Sequence, residues 1–364
     1  MKKMLKKIIP VFVVENVRKY QLTLDMTFVS LCGKNRYLAG LYYLFTKDFA
    51  REHQAVLQGR FSYYASLKDI SETCALLRRN IHRLEKGLIM RPRKKIFGER
   101  FILETVWAYR DAVNTKKLNN AEQKWATDVL DEYFTVVAIS KVISKAKGIY
   151  CQSRRVAEAG AYDLSLPSAD GKYKPYQYSE IKLSKVCFED IKKLFVQRRS
   201  VRWYEDRVVP LELVQKAANI ASFAPSACNR QPYRFIFCNR KEKAVEIAKC
   251  AGGTMGFAEN ITAIITVVGD LSAYPFDRDR HVIYIDSSLA VMQLMLALET
   301  LGLSSCSINW PEVEKNEMKI RKIIPISNYE RVVMLLAVGY ADKTGGIPYS
   351  QKKTNELILE NISL

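Results

Sequence analysis

The sequence predicts an α+β fold behind a mainly α-helical front region, and three observations carry that expectation. From about residue 50 to 160, apolar residues recur at three and four positions in a stretch rich in Leu, Ala, Glu, Lys and Arg, the spacing of amphipathic helices. Beyond about residue 230, short runs of β-branched and aromatic residues alternate with helical patterns, as buried strands between helices do. The chain is 364 residues long, more than one hydrophobic core usually serves, so two domains are expected. The expected boundaries are 1–162 for a basic helical domain, 163–182 for a linker and 183–364 for the α+β domain.

The elements follow in chain order. The start, Met1-Lys2-Lys3-Met4-Leu5-Lys6-Lys7, precedes an apolar run from Ile8 to Val14 that contains Pro10 and meets Glu15 and Asn16. Too short and without a small-residue cleavage site, it does not read as a secretory leader. Lys34, Asn35 and Arg36 interrupt the apolar stretch Phe28 to Phe45, leaving neither half near the roughly twenty residues of a membrane span. A soluble, cytoplasmic protein is expected, with peripheral membrane contact through the basic start as a minor option.

Farther on, Ile102, Val106, Tyr109 and Val113 share one helical face, and Trp125, Val129, Leu130 and Tyr133 share another. Pro167, Asp170-Gly171 and Pro175 mark turns in the linker. A helix restarts near Phe188 and runs to Gln197 with Ile191, Leu194 and Phe195 on one side, and another covers Leu211 to Ala221. Strands are expected at Tyr233–Cys238, Ile261–Val268, Leu303–Ile308 and Val332–Val338. After Asp286 the sequence is apolar on nearly every helical face. At about ten apolar residues this reads as a central buried helix, too short to span a bilayer.

Composition narrows the chemistry. The formal net charge is +19, and most of the excess falls in residues 1–190. Such a balance favours anionic partners without identifying one; no RNA-binding aromatic signature or recognition helix is present, so no nucleic acid is expected. Eight cysteines are scattered singly, without CxxC pairs, which fits a reducing compartment. The three histidines, His53, His82 and His281, have no second metal-type ligand at helical or knuckle spacing, so no metal site is expected. The glycine-rich Gly252-Gly253-Thr254-Met255-Gly256 lacks the Lys-Ser/Thr of a P-loop.

Two segments carry the functional reading. In Arg198-Arg199-Ser200-Val201-Arg202-Trp203-Tyr204, three guanidiniums and a hydroxyl converge at a helix end. A phosphate monoester dianion needs such charge-assisted donors from several directions, although a basic helix end is also ordinary complement to the helix dipole. Downstream lies Ala224-Pro225-Ser226-Ala227-Cys228-Asn229-Arg230-Gln231-Pro232, between a helix and a strand. Asn229 and Gln231 each carry a donor and an acceptor, which suits the alternating edge of an isoalloxazine ring; simple turn chemistry is the alternative.

These two segments, followed in order by Leu301-Gly302-Leu303-Ser304-Ser305-Cys306 and Val338-Gly339-Tyr340, resemble the FMN-dependent nitroreductase family over roughly residues 188–358. The resemblance implies a mixed β-sheet flanked by helices, and an intertwined homodimer with FMN at the subunit interface. It implies that Arg198, Arg199, Ser200 and Arg202 hold the flavin phosphate and ribityl chain. Pro225, Ser226, Ala227 and Asn229 would reach FMN from the partner subunit, with Gln231 beside them. Backbone N–H groups of Ile308, Asn309 and Trp310 would lie beside the flavin N5, and a residue among Ser350, Lys352 and Lys353, with Lys352 as the candidate, would close on the phosphate. His281 and Tyr284 are candidates for an acceptor pocket, and Cys228 and Cys306 are expected to pack.

The implied activity is an NAD(P)H-dependent FMN oxidoreductase working by ping-pong hydride transfer, with no obligatory catalytic side chain. The alternative is a catalytically silent scaffold whose basic front half docks on an anionic partner or membrane surface. In the front half, Arg79-Asn80-Ile81-His82-Arg83-Leu84-Glu85-Lys86-Gly87-Leu88 and the basic Arg91 to Lys95 resemble the N-terminal extension of nitroreductase-like proteins of bacterial polysaccharide pathways. That resemblance implies an anionic or sugar-nucleotide-like acceptor. Read as residues alone, the stretch is a helix in which Glu85 pairs with Arg or Lys neighbours and the charges face solvent.

Overall fold

The computed structural model describes residues 11–156 and 171–362; the basic start through Pro10, and Pro167 and Asp170 of the expected linker, lie outside them. The chain gathers into two compact units, Met1–Gln54 and Ala55–Leu364. The first holds helices α1 (Val11–Gly33) and α2 (Arg36–Thr46), divided at the predicted interruption, where the Asn35 side chain accepts the Tyr37 and Leu38 N–H groups and caps α2. No residue of α2 is buried. Helix α3 (Ala50–Ser66) contains the division between the units.

In the second unit, α4 (Ala75–Leu88), α5 (Glu99–Thr115), α6 (Asn120–Val136) and α7 (Lys141–Arg154) form a helical layer. Their apolar stripes meet in one core: Leu77, Ile81 and Leu84 of α4 pack with the predicted stripes of α5 and α6 and with Ile143 and Ala146 of α7. Ser140 and Asn119 cap α7 and α6 by accepting backbone N–H groups, which satisfies donors a helix start leaves open.

The remainder is α8 (Phe188–Gln197), α9 (Leu211–Ala221), β1 (Tyr233–Cys238), α10 (Lys241–Ala248), β2 (Ala263–Asp270), α11 (Val282–Thr300), β3 (Ser304–Asn309), α12 (Glu314–Ile320), β4 (Glu330–Gly339) and α13 (Asn355–Ile358). All four expected strands form, in the order β1-β2-β4-β3 and antiparallel throughout. The expected mixed sheet is therefore an antiparallel one, with a single parallel bridge between Ser200 and Ser305. Alternation explains why β2 and β4 read as continuous apolar runs. Ala263, Ile265 and Val267 face α9 and α11 with Leu336 and Val338; Ile264, Leu335 and Ala337 face α10 on the opposite side. Both faces are covered, so both must be apolar.

The central helix corrects one expectation. It starts at Val282, before Asp286, and spans 19 residues. The segment Asp277–Thr300 is long and apolar enough to cross a membrane by length and composition. Here Ala290, Val291, Leu294, Met295 and Leu298 are buried against the sheet, which makes it a core helix. Its opposite face leaves Ile285, Leu289 and Met292 exposed at 57%, 44% and 41%. Helix α8 forms over the expected residues, yet none of them is buried, and Phe195 is 50% exposed.

Candidate functional site

The arginine-rich segment is fixed by backbone bonds to the sheet. Ser200 bridges Ser305 of β3, and the Val201 N–H donates to the Ser305 carbonyl at 3.1 Å. Tyr204 anchors the other end. Its hydroxyl donates to the Val201 and Ala337 carbonyls at 2.6 and 3.3 Å, its N–H donates to Asn260 Oδ1, and Glu205 N–H reaches the Tyr340 carbonyl at 2.8 Å. The tyrosine ring lies on Gly339, where an added Cβ would stand 2.6 Å from a ring carbon. The Val-Gly-Tyr end of β4 thus needs its glycine for close approach, not for a special backbone angle.

Held there, Arg198, Arg199 and Arg202 have no carboxylate partner among the described residues; the Arg202 side chain donates to the Ser200 carbonyl at 3.3 Å and stands 5.6 Å over the Phe257 ring. The buried Ser305 Oγ has no hydrogen-bond partner among the described residues. Cys306 beside it is buried, and burial pushes its thiol up, opposed by Arg202, a bond to Ser200 and Arg198. Three guanidiniums without a carboxylate partner and a buried hydroxyl without a bond among the described residues are the donor set a phosphate monoester requires. The residues present therefore fit the phosphate end of FMN.

The second segment is a strained loop. A short 3-10 turn spans Ala227–Asn229, and Cys228, Asn229 and Gln231 adopt positive φ of 54°, 52° and 50°. Ser226 Oγ accepts the Gln231 N–H at 2.8 Å, and the Ala227 N–H donates to Asp286 Oδ2 at 2.9 Å. Asp286 is buried in α11 and its carboxyl is pushed up by that burial, opposed by the Ala227 N–H and by Arg230. In and beside this loop, Arg230 Nε and Tyr233 Oη are buried without a hydrogen-bond partner among the described residues. Pro225 is exposed.

Gln231 is not free to read a ligand edge in this arrangement. Its Nε2 donates to the Ser222 carbonyl at 2.8 Å and its Oε1 accepts from Arg78 at 3.3 Å. Among the described residues no side-chain bond engages Asn229, whose carbonyl accepts from Arg78 Nε at 3.0 Å. Within one chain no hydrogen bond or ion pair among the described residues joins the arginine segment to this loop.

The remaining residues divide. Ile308 and Trp310 are buried in the core beside α10, and the Trp310 indole donates to the buried Glu317 at 2.6 Å; Asn309 is exposed and pairs with Met334 across the sheet. His281 is exposed and precedes α11 as its cap residue. The Tyr284 hydroxyl donates to Glu312 at 3.1 Å, and Glu312 in turn pairs with Arg331. Lys352 is exposed and makes no side-chain bond to the arginine segment. A separate cleft of about 830 Å³ lies in the helical region, lined by Arg91, Arg93, Lys174, Tyr176 and Tyr178 among others, and none of the expected site residues lines it.

Sequence reasoning missed Arg78, Glu122 and Asp286. Asp286 left a signal, a lone carboxylate inside an otherwise apolar helix. Arg78 left none, because it is one arginine among many. Glu85 pairs with His82 at 3.2 Å and accepts from the Trp125 indole, not from an Arg or Lys neighbour as expected.

The Nitroreductase family model matches residues 195–260 and 252–340. A provisionally named NADH dehydrogenase/NAD(P)H nitroreductase of Archaeoglobus fulgidus is 31% identical over 155 residues, covering 42% of this chain and 86% of the relative. Iodotyrosine deiodinase of Thermotoga neapolitana is 26% identical, covering 45% of this chain and 92% of its own. Among solved structures, an FMN-dependent nitroreductase from Clostridium difficile R20291 aligns at 24% identity and TM-score 0.40, over 47% of this chain and 98% of its own.

Proposed function

The chain belongs to the nitroreductase family, and from that premise we propose that it is an FMN-dependent NAD(P)H oxidoreductase acting on an anionic or sugar-nucleotide-like acceptor. The observation that carries the reading is the arginine segment, fixed to the sheet by Tyr204 and Ser305 and lacking any carboxylate partner among the described residues. Arg198, Arg199 and Arg202 hold the phosphate, and Ser200 adds its hydroxyl. Held there, FMN would supply hydride transfer between NAD(P)H and the acceptor, with ping-pong kinetics as the expected signature.

The chain's own residues orient the ring and exclude water. The loop from Pro225 to Asn229 comes from a second copy of the chain, and backbone N–H groups of Ile308, Asn309 and Trp310 lie at the reacting edge. Lys352 closes on the phosphate, and His281 and Tyr284 border the acceptor. The exposed apolar face of α11, with Ile285, Leu289 and Met292, and the unburied apolar residues of α8 support a homodimer. Eight unpaired cysteines support a reducing, cytoplasmic setting. Residues 1–162 form a helical front domain and 163–182 a connection to the catalytic domain, 183–364.

The purified protein tests this by its colour. Yellow protein that NAD(P)H bleaches without oxygen, and that an added acceptor recolours, supports the reading; protein that holds no FMN even after the cofactor is supplied removes it. FMN that binds but is never bleached favours the scaffold reading, in which the basic front half docks on an anionic surface. The exposed apolar residues of α1 and α2, such as Phe12, Phe28 and Phe45, are the observation behind that second reading.

A further inference from the structure

The loop Ser226–Gln231 holds three non-glycine residues at positive φ, a conformation that persists only where its surroundings over-determine it. Part of the restraint is local: Ser226 Oγ, Asp286 and the Ser222 carbonyl each take a bond from the loop. The rest arrives from α4, 151 residues upstream. Arg78 Nε donates to the Asn229 carbonyl at 3.0 Å, Nη2 to Gln231 Oε1 at 3.3 Å, and Nη1 to Glu122 Oε2 at 2.9 Å.

Glu122 is itself fixed. Buried in α6, it accepts from Thr73 Oγ1 at 2.7 Å and from the Cys74 N–H at 3.0 Å. The Arg78 guanidinium also stands 5.4 Å over the Trp125 ring. Three donors of one planar fork thus point in three fixed directions, and two of them end on residues with positive φ. An ammonium has no such planar spread.

We propose that Arg78, oriented by Glu122, is a positioning residue that sets the conformation of the Ser226–Gln231 loop, so that the helical region is a working part of the cofactor site. The clamp rests on the reading that this loop faces FMN in the assembled protein. It acts through the loop backbone, and it turns the Gln231 amide inward, away from a ligand-reading role. Loss of Arg78 removes one restraint from Asn229 and one from Gln231 together, leaving their bonds to Ser226 and Ser222 and the arginine segment at Ser305 in place.

The test uses the full chain carrying Arg78→Gln, Arg78→Lys or, from the loop side, Gln231→Ala. Hydrogen exchange is measured at the loop amides, and FMN affinity by titration. In Arg78→Gln the amides of Ala227, Asn229 and Gln231 exchange at least about tenfold faster, while the sheet keeps its protection. The FMN dissociation constant rises about tenfold and the visible flavin band shifts. Arg78→Lys is not a rescue, because a lysine cannot span the three acceptors; Gln231→Ala shows the same change in smaller measure with the helical region intact. Wild-type exchange in the loop of Arg78→Gln, full rescue by lysine, or protection lost evenly across α4 to α6 would each overturn the proposal. If no form binds FMN, the flavin reading fails, and loop exchange still decides the role of Arg78.

Discussion

At the scale of residues, the site is a question of which charges have partners. Arg199 and Arg202 sit at a fixed backbone without a carboxylate among the described residues, so their charge is available to a phosphate. Arg202→Ala or Arg199→Ala is expected to weaken FMN binding about 10- to 100-fold, the range for one charge-assisted contact. Riboflavin, which lacks the phosphate, should bind the variants and the wild type alike; equal losses for both ligands would remove the phosphate role. Asp286 offers a second measurement. Burial raises its carboxyl above the unfolded value of 3.8, so the folded chain holds that proton more tightly than the unfolded one. Its contribution to stability is full below the unfolded pKa and is lost as pH rises through the folded one. Asp286→Asn keeps an oxygen for the Ala227 N–H, and its stability should improve relative to wild type as pH rises from about 3 to about 7. Urea unfolding over that range checks it; a pH-independent difference between the two proteins would contradict the assignment.

Elements decide where those residues stand. Strand β4 ends at Gly339 against the Tyr204 ring, and that contact locks the arginine segment to the sheet. Gly339→Ala should cost about 1–3 kcal/mol by overpacking and should weaken FMN binding as well, since the segment moves with Tyr204. Thermal unfolding and FMN titration on the same sample read both effects. Helix α11 is the second decisive element. Its inner face fills the core, whereas Leu289 lies on the outer apolar face. Leu289→Lys should leave the fold in place by circular dichroism, convert the proposed dimer to monomer in sedimentation, and release FMN. A monomer that keeps its flavin would separate dimerisation from cofactor binding. The apolar character of α11 was plain in the sequence; its division into a core face and an outward face was not, because both faces carry the same residue types.

For the whole molecule, the helical region and the sheet domain meet within the unit Ala55–Leu364. Gly59 of α3 lies against the turn at Leu271, where a Cβ would come within 2.7 Å, and Arg78 reaches the strained loop. FMN should therefore slow hydrogen exchange in α4 as well as in residues 225–231, through the linkage of binding to local opening. Protection confined to the C-terminal half would show the helical region to be energetically separate.

The sequence alone determined the element types, because periodicity records which faces are buried: the α5 and α6 stripes and all four strands stand where apolar spacing put them. It also determined the arginine segment and the loop as ordered motifs. Only the tertiary structure decided that the sheet is antiparallel, that Gln231 is already bonded to Ser222 and Arg78, and that Trp310 spends its N–H on Glu317. The reason is physical. Burial pattern is local and repeats along the chain, whereas the partner of a hydrogen-bonding group is chosen by side chains brought close from far away, and nothing in the spacing of Arg78 marks Asn229 as its acceptor.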